Sequence, residues 1–298
     1  MSGRRDPSPS GLILLDKKAG LTSFEALGEI KRSLGTGKVG HTGTLDKFAS
    51  GLLLVLAGRA LKLSLWFSHC DKQYSGRIRF GLETDTLDPE GQVVGEAAVP
   101  SREKVEQVLR LFMGETMQEP PVYSAIHVGG KRASALAREG NPPVMKKRPV
   151  HIYGLELRSW EPPFAEIFVH CSSGTYIRSL VRDIAIAAES RACLYGLRRT
   201  KVAGFSLDMA DNGGQINPID KTVIGALGFP WFELSPAETE NIIHGRPLSP
   251  LLDGKPLLSH SEAKADVSMA AAAAVFSGDT LAAIVEKNGS LWEYGCVM

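Results

Sequence analysis

The sequence predicts an α+β fold: a mixed β-sheet core with flanking helices over 10–227, followed by a small β-rich domain over 228–298. Three observations lead there. Leu52-Leu53-Leu54-Val55-Leu56 is a continuous apolar run of the kind that fills a strand buried on both faces. Lys72–Phe80 alternates like a half-buried strand, whereas Ser101–Met113 reads as a capped amphipathic helix. From about Gly228 the composition turns acidic and the apolar runs shorten, as at Thr280–Val285 and Leu291–Cys296.

Taken in order, Gly11–Leu15 reads as the first strand and Asp16–Gly20 as a turn. Thr22 or Ser23 can cap a helix with Glu25 in its first turn and Leu27, Ile30 and Leu34 on one face. Gly35, Gly37 and Gly40 fit the spacing G-x-G-x-x-G. A dinucleotide site needs a strand before that pattern and a helix opening at its end. Here a helix precedes it and an irregular loop follows, so the dinucleotide reading is rejected. Lys38–Leu54 organises the rest of the chain: three glycines, Gly40, Gly43 and Gly51, surround one carboxylate, Asp46, and the loop runs straight into the apolar strand. On local sequence alone an Asp in such a place caps a turn.

Gly58–Phe67 reads as helix. Tyr74 is read from the pattern as a strand aromatic with its hydroxyl at the surface. Asp85 and Asp88 fall in the turn after the strand, where solvated or capping roles are expected. Asn141–Pro149, with three prolines and Lys146-Lys147-Arg148, reads as a mobile basic loop or a linker. Arg148–Tyr153 and Phe164–Cys171 return to strands, and Ser173–Asp183 makes a strand-to-helix turn with Arg178 in the first helical turn. Ala270–Ala274 predicts a short piece of helix.

With 298 residues, 43% hydrophobic and 22% charged, the composition is that of an ordinary soluble globular protein. Leu12–Leu15 is too short for a signal or membrane segment, and no other run reaches spanning length. Cys70, Cys171, Cys193 and Cys296 show no C-x-x-C and no close His pairing, which argues against zinc or a disulfide framework. Reduced thiols in a cytoplasm are expected. The net charge of +1 hides a division along the chain. Lys and Arg outnumber Asp and Glu 13 to 6 over 1–79, 7 to 2 over 124–160 and 6 to 2 over 171–201. Acids dominate 9 to 3 over 80–123 and 12 to 5 over 202–298. Such segregation suits a face that contacts phosphates.

The wording of four blocks goes further. Gly40-His41-Thr42-Gly43-Thr44-Leu45-Asp46 with Ala49 and Gly51-Leu52 closely resembles the active-site motif of the TruB-type tRNA pseudouridine synthases. Lys72-x-Tyr74 followed by Phe80–Asp88, the segment from Pro120 through Tyr123-Ser124-Ala125 and Lys131-Arg132 to Ala137-Arg138-Glu139-Gly140, and Ser173–Asp183 with Leu197-Arg198-Arg199-Thr200 resemble that family's other motifs. The opening Asp16-Lys17, Thr22-Ser23 pattern matches too. Lys18 and Lys47 stand where the family has Pro, and Ser134 stands where it usually has an aromatic.

The resemblance implies a pseudouridine-synthase-like catalytic domain over 10–227, an RNA-clamping insertion at about 124–150, and a PUA-like appendage over 228–298. It implies Asp46 as nucleophile, Tyr74 against the target base and Arg178 paired with Asp46. It further implies substrate contacts by His41, Lys17, Gly43, Tyr176, Leu197, Lys131 and Arg132. The implied reaction isomerises uridine in the T loop of tRNA, at position 55, with no metal, no redox cofactor and no energy source. The implied partner is the T arm of tRNA, with the protein a cytoplasmic monomer that binds no membrane. A carboxylate suits such work because it can attack carbon and later leave. An Arg beside it opposes the upward pKa shift of burial, and could also hold a phosphate bidentately. Two other readings are a non-catalytic T-arm chaperone and a guide-RNA-dependent synthase subunit.

Overall fold

The computed structural model describes residues 9–211, 214–260 and 271–298. Its larger sheet takes strands β1 (Gly11–Lys17), β2 (Val39–His41), β3 (Ser50–Ala57) and β4 (Lys72–Phe80) from the first part of the chain. Between them lie helices α1 (Leu27–Leu34) and α2 (Ser64–Ser68), the latter continuing a 3-10 turn over Gly58–Leu63. A small hairpin, β5 (Leu82–Thr84) with β6 (Val93–Glu96), precedes α3 (Arg102–Leu109) and β7 (Gly114–Gln118). A second hairpin, β8 (His127–Val128) with β9 (Lys131–Arg132), leads into α4 (Ala133–Arg138). The long strands β10 (Arg148–Glu161) and β11 (Phe164–Cys171) then feed α5 (Ile177–Ala187), β12 (Ala192–Val202) and β13 (Phe205–Ser206).

The main path of the sheet runs β1-β3-β12-β4-β11-β10-β7, with β2 also on β3 and β13 on β12. Its pairs are antiparallel except β3 with β12, which run parallel, so the sheet is mixed as the sequence predicts. One face of the β4–β11–β10 half is covered by α3 and α5, with Ile78, Phe80, Ile167, Leu180, Val181 and Ile184 forming the core between them. β3 is buried on both sides, which is why its apolar run is continuous. Leu53 and Val55 pack on Leu27 and Ile30 of α1, while Leu52, Leu54 and Leu56 face the C-terminal sheet. Each such leucine contributes about 1.5–3 kcal/mol by burial.

The C-terminal part begins with α6 (Lys221–Ala226), β14 (Trp231–Glu233), α7 (Pro236–Ile243) and α8 (Ser249–Leu252). Strands β15 (Ala272–Ser277), β16 (Thr280–Asn288) and β17 (Leu291–Val297) complete a second sheet in the order β14-β15-β16-β17. This sheet shares a core with the first through Trp231, Phe276 and Ile284 against Leu52, Leu54 and Phe67. Trp66 Nε1 donates to Glu286 Oε1 at 3.0 Å across the same junction.

Two sequence expectations are corrected here. The alanines expected as a short helix at Ala270–Ala274 enter strand β15 from Ala272, Ala270 itself lying outside the described residues. Their helix preference is overridden because Ala273 and Ala274 are wholly buried in the second sheet, with Ala274 opposite Trp231 in the ladder. The helix begun at Ser101 is capped as expected, Lys104 N donating to Ser101 Oγ, but it ends at Leu109. It tightens to 3-10 over Arg110–Phe112, Met113 is extended, and Gly114 at φ +88° turns the chain into β7.

Candidate active site

Asp46 sits on a loop that is held at several points. Thr42 N donates to Leu54 O at 3.0 Å, and Leu45 N donates to Ser23 Oγ at 2.8 Å while that hydroxyl donates back to Leu45 O at 3.0 Å. Gly20 N donates to Lys47 O at 2.8 Å. This bond ties the backbone at Lys47 to the turn after β1. Thr22 and Glu25 bond each other reciprocally, a capping box that fixes the turn carrying Ser23. The loop ends at Gly51, whose φ is +107° and whose added Cβ would lie 2.3 Å from Arg199 O. Only glycine permits β12 to run this close beside β3.

Arg178 enters from the second residue of α5. The start of that helix is locked by the Gln118 amide, which accepts from Tyr176 N at 2.8 Å and donates to Tyr176 O at 3.1 Å. The guanidinium grips Asp46 with two parallel bonds, Nε to Oδ2 at 2.8 Å and Nη2 to Oδ1 at 3.1 Å. Its other N–H groups turn to Thr86 O at 2.8 Å, Tyr123 O at 3.0 Å and Asp88 Oδ2 at 3.4 Å. Four hydrogen bonds and the ion pair with Asp88 thus engage the guanidinium inside the protein, and the side chain is 5% exposed. The expectation that it could also hold a phosphate bidentately is corrected: no fork remains to do so.

Asp88, expected in a solvated or capping role, is 5% exposed. Its Oδ1 does cap the turn, accepting from Thr86 Oγ1 at 2.6 Å and Glu90 N at 3.0 Å, while Oδ2 faces Arg178. Leu87 in the same turn has φ +62°, a strained setting for leucine costing on the order of 1–3 kcal/mol. The buried Leu87 side chain and the bond from Leu194 N to its carbonyl hold it there. Asp85 keeps the expected turn role, accepting from Gln92 N at 2.9 Å.

Asp46 faces a cleft of about 290 Å³, near the lower end of ordinary ligand pockets. Gly43, Tyr74, Tyr176, Arg178 and Leu197 line it together with Asp46. Burial raises the Asp46 carboxyl above its usual range, Arg178 opposes this and Asp88 adds to the rise. Both Asp46 oxygens accept from the guanidinium, an arrangement that suits the ionised form. Tyr74 is 6% exposed rather than a surface aromatic, and burial pushes its hydroxyl up to about 12. Burial likewise raises Tyr176.

The remaining sequence-derived candidates lie off the cleft wall. Lys17 is 1% exposed and donates to Lys18 O and Leu21 O beneath the loop, its pKa lowered by burial against the pull of Asp46. His41 is half-buried on β2, lowered by burial and by Arg199, with Nδ1 buried and unpaired. Lys131 and Arg132 stand exposed on the β8–β9 hairpin, where Lys131 Nζ lies 3.3 Å from Glu139 Oε2. Residues 141–147 carry no regular structure, and Met145 is buried within them. Sequence reasoning gave no part in the site to three residues that the fold brings there: Asp88, Lys72 and Arg199. Lys72 and Arg199 fall within motifs already noted, but only their burial beside the cleft marks them.

Among the described residues no group of His, Cys, Asp and Glu could hold a metal ion, and no helix is long and apolar enough to cross a membrane. Residues 31–177 match the N-terminal domain of the TruB family of pseudouridylate synthases. A tRNA pseudouridine synthase B from Borreliella burgdorferi (strain ZS7) is 45% identical over 201 residues, covering 66% of this chain and 71% of its own. One from Bordetella avium (strain 197N) is 46% identical over 214 residues, covering 70% and 88% respectively. The solved Cbf5-Nop10-Gar1 complex contains a chain with the same fold, at a TM-score of 0.68 and 24% identity, covering 97% of this chain and 83% of that one. Sequence relationship over most of its relatives' length, with the matching fold around the Asp46 cleft, makes this chain a member of the TruB family of pseudouridylate synthases.

Proposed function

We propose that this chain converts uridine to pseudouridine in the T loop of tRNA, at position 55, with Asp46 as the attacking carboxylate. The observation that carries the reading is the two-bond grip of Arg178 on Asp46 at the wall of a cleft also lined by Tyr74. A buried guanidinium fixed by further bonds to Thr86 O and Tyr123 O aims the carboxylate and keeps it charged. The names of the relatives supply the tRNA substrate. A uridine inside a folded loop must leave its stack, at a cost of a few kcal/mol. Tyr74 offers a face on which the flipped base rests, returning roughly 1–3 kcal/mol. Leu197, Tyr176 and Gly43 complete the pocket, and His41, one strand away, fills the space that the base leaves. Lys131, Arg132 and the 141–148 segment stand where the rest of the T arm would be gripped, and residues 10–227 form the catalytic unit.

Release of tritium from C5-labelled uridine in a T-arm stem-loop, with this protein alone, tests the reading. Release at catalytic rate supports it. Binding without release would instead mark a T-arm chaperone, and release only on addition of a guide RNA would mark a guided subunit.

A further inference from the structure

Among the described residues, two cations on the cleft wall have no carboxylate within ion-pair distance. Lys72 is 8% exposed, and its Nζ donates to the carbonyls of Ser68, at 3.1 Å, and Cys70. Arg199 is 2% exposed; its Nε donates to Leu52 O at 2.7 Å and its Nη2 to Gly43 O at 3.1 Å. Asp71, beside Lys72 in the chain, is turned to His170. Carbonyl dipoles soften the cost of burying a cation, which is several kcal/mol, without cancelling its charge. Arg178 differs, since its charge is met by Asp46 and Asp88.

The two unneutralised cations stand together. A Cβ added at Gly43 would lie 3.6 Å from Arg199 Nη1 and 3.7 Å from Lys72 Cε. Both line the same cleft as Asp46, and Arg199 opposes the rise that burial gives the hydroxyl of Tyr74, the residue on which the flipped base is placed above. Buried positive charge without a counter-charge is suited to an anion that exists only during the reaction.

The isomerisation proposed above makes such an anion, so the inference rests on that reading. Two routes are open to the carboxylate. If Asp46 bonds to C1′, the C1′–N1 bond breaks and its electron pair leaves with the uracil, spread over N1, O2 and O4. If Asp46 bonds to C6, the C5–C6 π pair moves through C5–C4 to make an enolate at O4. Both routes put negative charge on uracil carbonyl oxygens before C5 bonds to C1′. In the C1′ route C5 displaces Asp46 as it bonds to C1′. In the C6 route the C1′–N1 bond breaks, its pair staying on N1, the base turns, C5 bonds to C1′, and Asp46 then leaves C6. In both, C5 finally loses a proton and N1 gains one, so nothing else enters or leaves. We propose that Lys72 and Arg199 form a cationic wall that contacts the uracil carbonyl oxygens and stabilises the charge they gain while the base is detached. A phosphate on the same wall would carry its charge in the bound ground state, and its loss would weaken binding rather than slow the chemistry.

Single-turnover rates at saturating tRNA, measured beside dissociation constants, decide between these. Lys72→Met slows the rate by about a hundredfold or more, as loss of one preorganised donor does elsewhere, with tRNA affinity nearly unchanged. Lys72→Arg restores most of the rate. The pH profile adds a readout that a structural role would not move. Burial and Arg199 lower Lys72 to about 8, with Cys70, Cys171 and Asp71 pulling the other way. The charged form is lost as pH rises through that value, so the wild-type rate falls on that limb and Lys72→Arg holds its rate to higher pH. A Lys72→Met rate within threefold of wild type overturns the proposal, as does a loss confined to affinity. So does a basic limb that is the same in wild type and Lys72→Arg, a comparison that decides the matter even if Lys72→Met does not fold. Wild-type protein that makes no pseudouridine overturns the functional reading and this wall with it; active wild type with an equally fast Lys72→Met overturns the wall alone.

Discussion

Replacing Arg178 by Lys keeps one positive charge and removes the planar fork. The ammonium offers three N–H groups where the guanidinium makes four hydrogen bonds, to Asp46 Oδ1 and Oδ2, Thr86 O and Tyr123 O, beside its ion pair with Asp88. At least one acceptor then loses its donor. At about 1–3 kcal/mol for each buried polar group left unpaired, the fold loses about 1–3 kcal/mol or more, and the melting temperature falls. Asp46 loses one of its two parallel bonds and is no longer aimed. Misorientation at a reacting centre costs on the order of a hundredfold in rate. The pH sign follows from the groups around Asp46: burial already raises it and Arg178 opposes the rise, so weakening that opposition lifts it further. If the ionised carboxylate attacks as proposed, the acid limb of the rate profile moves to higher pH. Single-turnover rates from pH 5 to 8 at saturating tRNA, with dissociation constants, measure both effects. Wild-type rates with weakened binding would refute this reasoning, because they would make Arg178 a grip on RNA rather than on Asp46.

Asp88→Asn shifts the profile the other way. Its charge raises Asp46, so removing it moves the acid limb to lower pH, while a less firmly oriented Arg178 lowers turnover by about ten- to a hundredfold; a rate–pH series on this variant checks the sign. Gly51→Ala places a Cβ 2.3 Å from Arg199 O at φ +107°, and strain with overpacking costs about 2–6 kcal/mol, read by thermal melting. Lys146, Lys147 and Arg148 changed together to Ala reduce the salt dependence of tRNA affinity, the log–log slope shrinking by about 0.7–0.9 for each phosphate that is no longer neutralised.

The strands that carry the site were legible because their patterns follow from burial. Leu52–Leu56 is continuous since one face meets α1 and the other meets the C-terminal sheet, and Lys72–Phe80 alternates since only one face meets the core. The alanines at 272–274 misled because alanine favours helix locally and packs equally well between strands. Within the site, family wording pointed to Asp46, Tyr74 and Arg178, and the fold sets all three on one cleft. Asp88, Lys72 and Arg199 escaped because a turn aspartate and two strand cations look like surface residues until the fold shows what covers them. Asp88 reaches Arg178 across 90 residues of chain, a pairing that no local spacing encodes.

Mapping pseudouridine on unmodified tRNA incubated with this protein alone, and with Asp46→Asn, bears most directly on whether the chain works as proposed. Asn keeps the shape of Asp46 and loses the charge proposed to attack. Wild type should place pseudouridine at position 55 of the T loop, while Asp46→Asn binds the same tRNA and places none. Unmodified tRNA with wild type, or more than a tenth of wild-type activity with Asp46→Asn, would contradict it.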